Sequence, residues 1–177
     1  MKPLNRRKTL SIIGTALAAA ACPVAAQASD LRAVPDARVV GKGRYSYLGV
    51  ALFDATLYAP GGRFDASKPF ALRLTYLKSL KGSRIAERSI EEIRKQGFGD
   101  AAKLEAWRRE LKRLFPDVTK GSSITGIHDG AGAAHFFHDG KPLGSVADSR
   151  FTQHFFDIWL GVKSSSKALR AQLLGQS

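Results

Sequence analysis

Alternating hydrophobic and polar positions predict a group of β-strands early in the chain. Residues 70–77 alternate most clearly, with the period of two that is typical of a strand with one buried side. The apolar face of this segment would carry Phe70, Leu72, Leu74 and Tyr76. Residues 38–48 and 49–58 also predict strands, and Gly41 and Gly43 indicate a bulge or tight bend in the first of them.

Helical spacing of apolar residues predicts two helices after these strands. The first helix would begin at Ser83 as the N-cap and end at Gly97. Its inner stripe would consist of Ile85, Ser89, Ile90 and Ile93. The second would be capped by Asp100 and ended by Pro116. Its apolar side would consist of Leu104, Trp107, Leu111 and Leu114.

A second group of strands and helices follows. Strands are predicted at residues 122–128, 133–138 and 141–146. Asp139-Gly140 between the last two is a strong signal for a two-residue hairpin turn. Asp148 would cap a third helix that is apolar nearly all round and therefore buried, and a short helix would cover residues 167–174. This order predicts one α+β domain over residues 29–177, with helices packed on a mainly antiparallel sheet.

The first 28 residues have the pattern of a secretory signal peptide. They combine a basic start, an apolar run over residues 10–22 and the small-residue sequence Ala26-Gln27-Ala28. We therefore expect cleavage after Ala28 and a periplasmic protein. Ala19-Ala20-Ala21-Cys22 loosely resembles a lipidation site, and Arg6-Arg7 leaves both the general and the twin-arginine export routes open.

Composition narrows the class of partner. The whole chain has a net charge of +13, and removal of residues 1–28 leaves 24 basic against 15 acidic residues, a net charge of +9. An exported protein meets lipid headgroups and acidic ligands rather than nucleic acid, so we expect no nucleic-acid partner. The second helix carries a basic side, which offers a possible contact with an anionic membrane surface. That side consists of Lys103, Arg108, Arg109, Lys112 and Arg113.

Several kinds of catalytic or metal site find no support in the pattern. Cys22 is the only cysteine, and His135 and His138 would point to opposite faces of a strand, so we expect no metal. Gly41-x-Gly43 lacks the third glycine and the helix of a dinucleotide fingerprint, so no cofactor is expected. The remaining candidates are polar groups near the first three strands, among them Arg44, Tyr58 and Tyr76. An apolar cavity with a few polar anchors is the usual composition of a small-molecule site.

Motifs along residues 38–177 resemble the bacterial chalcone isomerase-like family. The stretches that carry the resemblance include Phe53-Asp54-Ala55-Thr56-Leu57-Tyr58, Leu114-Phe115-Pro116-Asp117 and Phe155-Phe156-Asp157-Ile158-Trp159-Leu160-Gly161. The resemblance implies an open-faced β-sandwich, in which a large antiparallel sheet packs with helices. It also implies either of two activities, since plant members cyclise chalcones and other relatives bind fatty acids without catalysis.

The catalytic pattern of the plant enzymes is not retained. Phe53 and Ile158 stand at the positions of the two catalytic threonines, and residues 84–96 contain neither the Tyr nor the Asn of the plant helix. The resemblance therefore favours binding of a small apolar or fatty-acid-like ligand, with Arg44 holding an acidic head and Tyr58 and Tyr76 lining the cleft. An isomerase acting on a flavonoid-like substrate is the alternative, and whether the protein is an enzyme stays open.

Overall fold

A computed structural model describes residues 30–176, which form one antiparallel sheet covered by helices. The six strands lie in the sheet in chain order, and each neighbouring pair is antiparallel. Their bounds are β1 Ala37–Tyr47, β2 Val50–Pro60, β3 Phe70–Tyr76, β4 Ser123–His128, β5 Ala134–His138 and β6 Lys141–Val146. This arrangement confirms the predicted α+β class, and the hairpin at Asp139-Gly140 forms as predicted.

Four helices pack on the inner face of the sheet. Their bounds are α1 Gly82–Lys95, α2 Ala101–Leu114, α3 Ser149–Leu160 and α4 Lys167–Leu173. Asp100 and Asp148 cap α2 and α3 as predicted, since Asp100 accepts a hydrogen bond from one backbone amide of the first turn and Asp148 accepts from two. The predicted cap of α1 by Ser83 is wrong. Asp117, from the loop after α2, instead accepts a hydrogen bond from the Gly82 amide at 3.0 Å.

The two faces of the sheet bury different groups. The inner face of β3 buries Phe70, Leu72, Leu74 and Tyr76 against the helices, as the alternation predicted. The outer face was expected to be exposed, but Ala71 and Arg73 on it are also buried. A 3₁₀ turn at Asp30–Ala33 lies over this face, where Asp30 pairs with Arg73 and Val34 packs on Ala71.

Close contact between α4 and β1 explains the glycines of the first strand. The pairing of β1 with β2 shifts between Val39 and Gly41, which confirms the predicted irregularity. A Cβ atom at Gly41 would lie 2.1 Å from the Gln172 carbonyl oxygen of α4. Glycine is therefore required here because the helix backbone approaches the strand directly.

The predicted signal peptide, residues 1–28, lies outside the described residues. Within residues 30–176, no helix is both long enough and apolar enough to cross a bilayer.

Candidate functional site

An apolar cleft with a volume of about 330 Å³ opens between the inner face of the sheet and helices α1, α3 and α4. Strands β1–β3 form its floor, and large side chains at their inward positions line it. The apolar and aromatic side chains that line the cleft are Tyr45, Tyr47, Leu52, Phe53, Leu74, Tyr76, Leu80, Ile85, Ile158, Trp159 and Leu169. The volume lies at the lower end of the range of about 300–1,000 Å³ that is usual for small-molecule sites.

One wall of the cleft is polar. Its side chains come from successive turns of α1 and from the loop between α3 and α4. They are Arg84, Arg88, Ser89, Glu92, Ser165 and Ser166. Helical spacing of three and four residues brings the α1 members onto one side of that helix, next to the apolar stripe that packs on the sheet.

A partly buried ion pair stands in this wall. Arg88 lies 2.7 Å from Glu92, whose side chain is only 7% exposed, and Lys95 contacts the same carboxylate at 3.0 Å. Burial disfavours the ionised form of Glu92, but hydrogen bonds from Ser165 and Lys95 and the nearby positive charges outweigh it. The pKa of Glu92 therefore lies below its usual range. The Arg88 guanidinium, which stays half-exposed, also lies over the Tyr47 ring at 5.9 Å.

Arg84 is the less engaged of the two arginines in the polar wall. Its side chain is largely exposed, and its ion pair with Glu87 is long, at 3.4 Å. A guanidinium beside an apolar cleft is a suitable partner for a carboxylate or another anionic head. Arg84 thus supplies a positive charge at the cleft that the fold itself uses little.

Tyr76 places a hydroxyl group against the apolar floor. The residue is 2% exposed and lines the cleft at the end of β3. Burial raises the pKa of Tyr76 above its usual range, and no hydrogen bond or charge from residues 30–176 contributes to the shift. A buried tyrosine hydroxyl ordinarily has a hydrogen-bond partner. Since Tyr76 lines the cleft, a ligand bound there could provide that partner.

The structure places the other two predicted site residues on the outer face of the sheet. Arg44 is exposed and donates to both carboxylate oxygens of Asp54, at 2.6 and 3.0 Å. Tyr58 packs beside the Arg73 guanidinium, which lies 5.4 Å from its ring centre. The register pairs Tyr45 with Phe53, so these neighbours of Arg44 and Asp54 face the cleft instead. Of the three predicted residues, only Tyr76 lines the cleft.

Sequence reasoning missed the polar wall of α1. Arg84, Arg88 and Glu92 are spaced four apart and stand next to Ile85 and Ser89, both on the predicted inner stripe. Their position beside the predicted apolar stripe could have identified them, because residues that flank a buried stripe lie at the edge of the core.

The described residues offer no group of three or more His, Cys, Asp or Glu side chains that could hold a metal ion. His135 instead lies 3.3 Å from Asp129.

An open antiparallel sheet whose inner face forms a cleft with packed helices defines an α+β protein with an open-faced sandwich. A family profile described as chalcone isomerase-like matches residues 45–175, and the chain belongs to that family. The fold is similar to the crystal structure of a fatty-acid binding protein from Arabidopsis thaliana, with a TM-score of 0.61 and 18% identity. The match covers 78% of this chain and 87% of the Arabidopsis chain. No curated protein matches the sequence.

Proposed function

We propose that the protein binds a small apolar or amphipathic acid, such as a fatty acid, in the cleft and catalyses no reaction on it. The observation that carries this proposal is an apolar cleft bordered by Arg84 and by the hydroxyl of Tyr76. The alkyl or aromatic part of the ligand would pack on the floor, and its anionic head would pair with Arg84. The fatty-acid binding protein with a similar fold supports this class of ligand.

Electrostatics of the cleft favour binding over catalysis. A general base that works near neutral pH needs a pKa close to that pH. Glu92 is the carboxylate that lines the cleft, and its pKa is shifted below its usual range, which takes it further from neutral pH. Its position between Arg88 and Lys95 makes it a fixed part of the wall.

Titration with cis-parinaric acid, a fluorescent fatty acid, tests the proposal. We expect the wild type to bind the acid, and Arg84→Ala to weaken binding roughly three- to tenfold, as expected for a partly exposed ion pair. The methyl ester of the probe should bind both proteins equally, since it has no charge for Arg84 to neutralise. Circular dichroism should show the same fold for both.

Arg44→Ala is the matched control, because Arg44 is an exposed arginine paired with a carboxylate outside the cleft. Its affinity for the probe should equal that of the wild type. A loss on Arg44→Ala with no loss on Arg84→Ala would move the acid-binding role to Arg44 and overturn the assignment to the cleft wall. Absence of wild-type binding, or turnover of a flavonoid-like substrate, would contradict the proposed function itself.

We further propose that the protein is exported, cleaved after Ala28 and active in the periplasm. A cut after Ala28 would leave every described residue in the mature chain, including Asp30, which is buried against Arg73. The intact mass of the protein from a periplasmic extract should correspond to residues 29–177. A mass that corresponds to a lipidated chain beginning at Cys22 would instead show a membrane-anchored form.

A further inference from the structure

Exposed apolar side chains gather around the mouth of the cleft. Five large apolar side chains are exposed in the described part of the chain, and four of them lie in two segments next to the mouth. Tyr47, Leu48 and Val50 form the tip of the β1–β2 hairpin, and Val162 lies in the loop between α3 and α4. Tyr47 lines the cleft, and the second loop supplies two of its serines.

The hairpin tip has an unfavourable residue for its backbone. Leu48 and Gly49 form a two-residue turn with φ angles of 48° and 78°. The β5–β6 hairpin has the same geometry at Asp139 and Gly140, with φ angles of 47° and 77°. Positive φ suits Asn, Asp and Gly and strains a leucine.

The two turns also differ in what their first residue contributes to the fold. Asp139 accepts a hydrogen bond from the Ser123 amide at 2.7 Å and so connects its turn to β4. Leu48 is 86% exposed and contributes little packing. The fold itself therefore gains little from a strained and exposed leucine at this position.

Basic side chains surround the same mouth. Arg84 and Arg88 line the cleft, where each also pairs with a glutamate of α1. In the loop that contains Val162, Lys163 donates to the Gln96 carbonyl oxygen, and Lys167 donates to the Val162 carbonyl oxygen. Apolar tips among cations match the chemistry of a bilayer interface, where apolar side chains enter the headgroup region and Lys or Arg pair with anionic lipids. The basic face of α2 is a weaker candidate, because none of the large apolar side chains that are exposed in residues 30–176 lies on that helix.

We propose that the mouth of the cleft docks on a bilayer with anionic headgroups. The tip at residues 47–50 and Val162 insert into the interface, and the nearby cations pair with lipid phosphates. An acid could then pass between the bilayer and the cleft without crossing water, and this consequence rests on the proposed function. Docking itself requires no ligand in the cleft.

Sedimentation with vesicles tests the docking surface. The mature protein should bind phosphatidylcholine vesicles that contain phosphatidylglycerol more tightly than vesicles of phosphatidylcholine alone, and binding should weaken as salt increases. The double variant Leu48→Asp, Val162→Asp should lose roughly tenfold or more of this binding, because it replaces the most exposed apolar side chain of each segment with a carboxylate, which anionic lipids repel. Val39→Asp is the matched control, since Val39 is an exposed valine near the other end of β1. Its binding should equal that of the wild type.

A second pair of variants tests the charges. Lys167→Glu should weaken binding to anionic vesicles strongly, whereas Arg109→Glu makes the same change in net charge on α2 and should have a clearly smaller effect. Equal losses in both, equal losses with Val39→Asp, or a wild type that binds no vesicles would overturn the proposal. In the last case, binding of another protein through Leu48 would identify a protein partner instead.

The vesicle result can be separated from the ligand result. Leu48 and Val162 do not line the cleft, so the double variant should bind cis-parinaric acid in solution like the wild type. Loss of docking with retained probe binding confirms a separate surface, whereas loss of both would show that the variant damages the cleft and would overturn the assignment of docking to the tips. A wild type that docks on vesicles without binding the probe would contradict only the proposed function.

Discussion

On each side of the sheet there is an arginine, a carboxylate and a tyrosine, but in different surroundings. On the outer face, Arg73 donates to Asp30 at 2.8 Å, and both side chains are almost fully buried. Thr125 completes this group, because its hydroxyl accepts from Arg73 at 3.2 Å and donates to Asp30 at 2.6 Å. On the inner side, Arg88 and Glu92 of α1 lie 2.7 Å apart, and Arg88 remains half-exposed at the cleft.

The difference shows which charged group stabilises the fold and which is open to a ligand. The outer group is closed, since the hydrogen bonds of Asp30 are made within the protein and the 3₁₀ turn covers them. The inner group opens on an apolar cleft with Arg84 and the Tyr76 hydroxyl beside it. Equal residue types thus take different roles according to what covers them.

Replacement of Asp30, the carboxylate of the outer group, should have the largest effect on the unfolding free energy. Asp30→Ala breaks the buried ion pair with Arg73, and removal of one partner of such a pair typically costs about 3–5 kcal/mol of unfolding free energy. Urea unfolding followed by circular dichroism measures this loss. The folded fraction should still bind cis-parinaric acid with unchanged affinity, because the outer face does not line the cleft.

Asp36→Asn serves as the control for this change, because Asp36 has a φ of 43°, which Asn tolerates and Ala does not. Asp36 pairs with Arg38 at 3.1 Å, and both side chains are well exposed. Water replaces such a partner readily, so the unfolding free energy should hardly change. Equal losses for Asp30→Ala and Asp36→Asn would show that the outer group does not stabilise the fold through burial.

Replacement of Glu92, the inner carboxylate, should lower the unfolding free energy by a smaller amount that depends on pH. The fold holds the pKa of Glu92 below its usual range, so the stabilisation is fully present above the unfolded pKa. It is lost as the pH falls through the lower, folded pKa. We expect the unfolding free energy of the wild type to exceed that of Glu92→Gln by roughly 1 kcal/mol near pH 7. This difference should close below about pH 4.

Urea unfolding of both proteins between pH 3 and pH 7 measures this gap. Glu110→Gln is the control, because Glu110 forms an exposed pair with Arg113 on α2. Its difference from the wild type should stay small across the range. A gap for Glu92→Gln that does not change with pH would contradict a stabilising charge at this position.

Local patterns predicted most of the elements, and the misses have non-local causes. The alternation of β3, the caps at Asp100 and Asp148 and the Asp139-Gly140 turn each depend on residues close in sequence. The cap of α1 comes from Asp117, 35 residues away. The buried outer face of β3 depends on Asp30, 43 residues away. Periodicity does not reveal such partners.

The candidate site was predicted only in part, for a reason of register. Tyr76 belongs to a clear alternating segment, so its face was correctly predicted. Arg44 lies in a strand with a bulge, and a change of one residue in register reverses the face of every side chain. The family resemblance pointed to strand residues, whereas the arginines at the cleft, Arg84 and Arg88, come from α1.

The smallest expected effect is a change in ligand affinity, and it is tested by comparing Tyr76 with Tyr58, two tyrosines on opposite faces of the sheet. Tyr76→Phe removes a hydroxyl that we expect to donate to the ligand head, and burial keeps that hydroxyl protonated by raising its pKa. Loss of one hydrogen bond should weaken binding of cis-parinaric acid about two- to tenfold. Tyr58→Phe makes the same chemical change on the outer face, beside Arg73, and should leave the affinity unchanged.

Fluorescence titration of the two variants tests on which face of the sheet the ligand binds. Their unfolding free energies are measured in parallel. Both proteins should remain folded, since each keeps its aromatic ring in place. A weaker affinity for Tyr76→Phe alone would locate the ligand on the inner face and leave the outer face with a structural role. Equal weakening by Tyr58→Phe would mean that the closed outer group also responds to the ligand, which a ligand confined to the cleft does not explain.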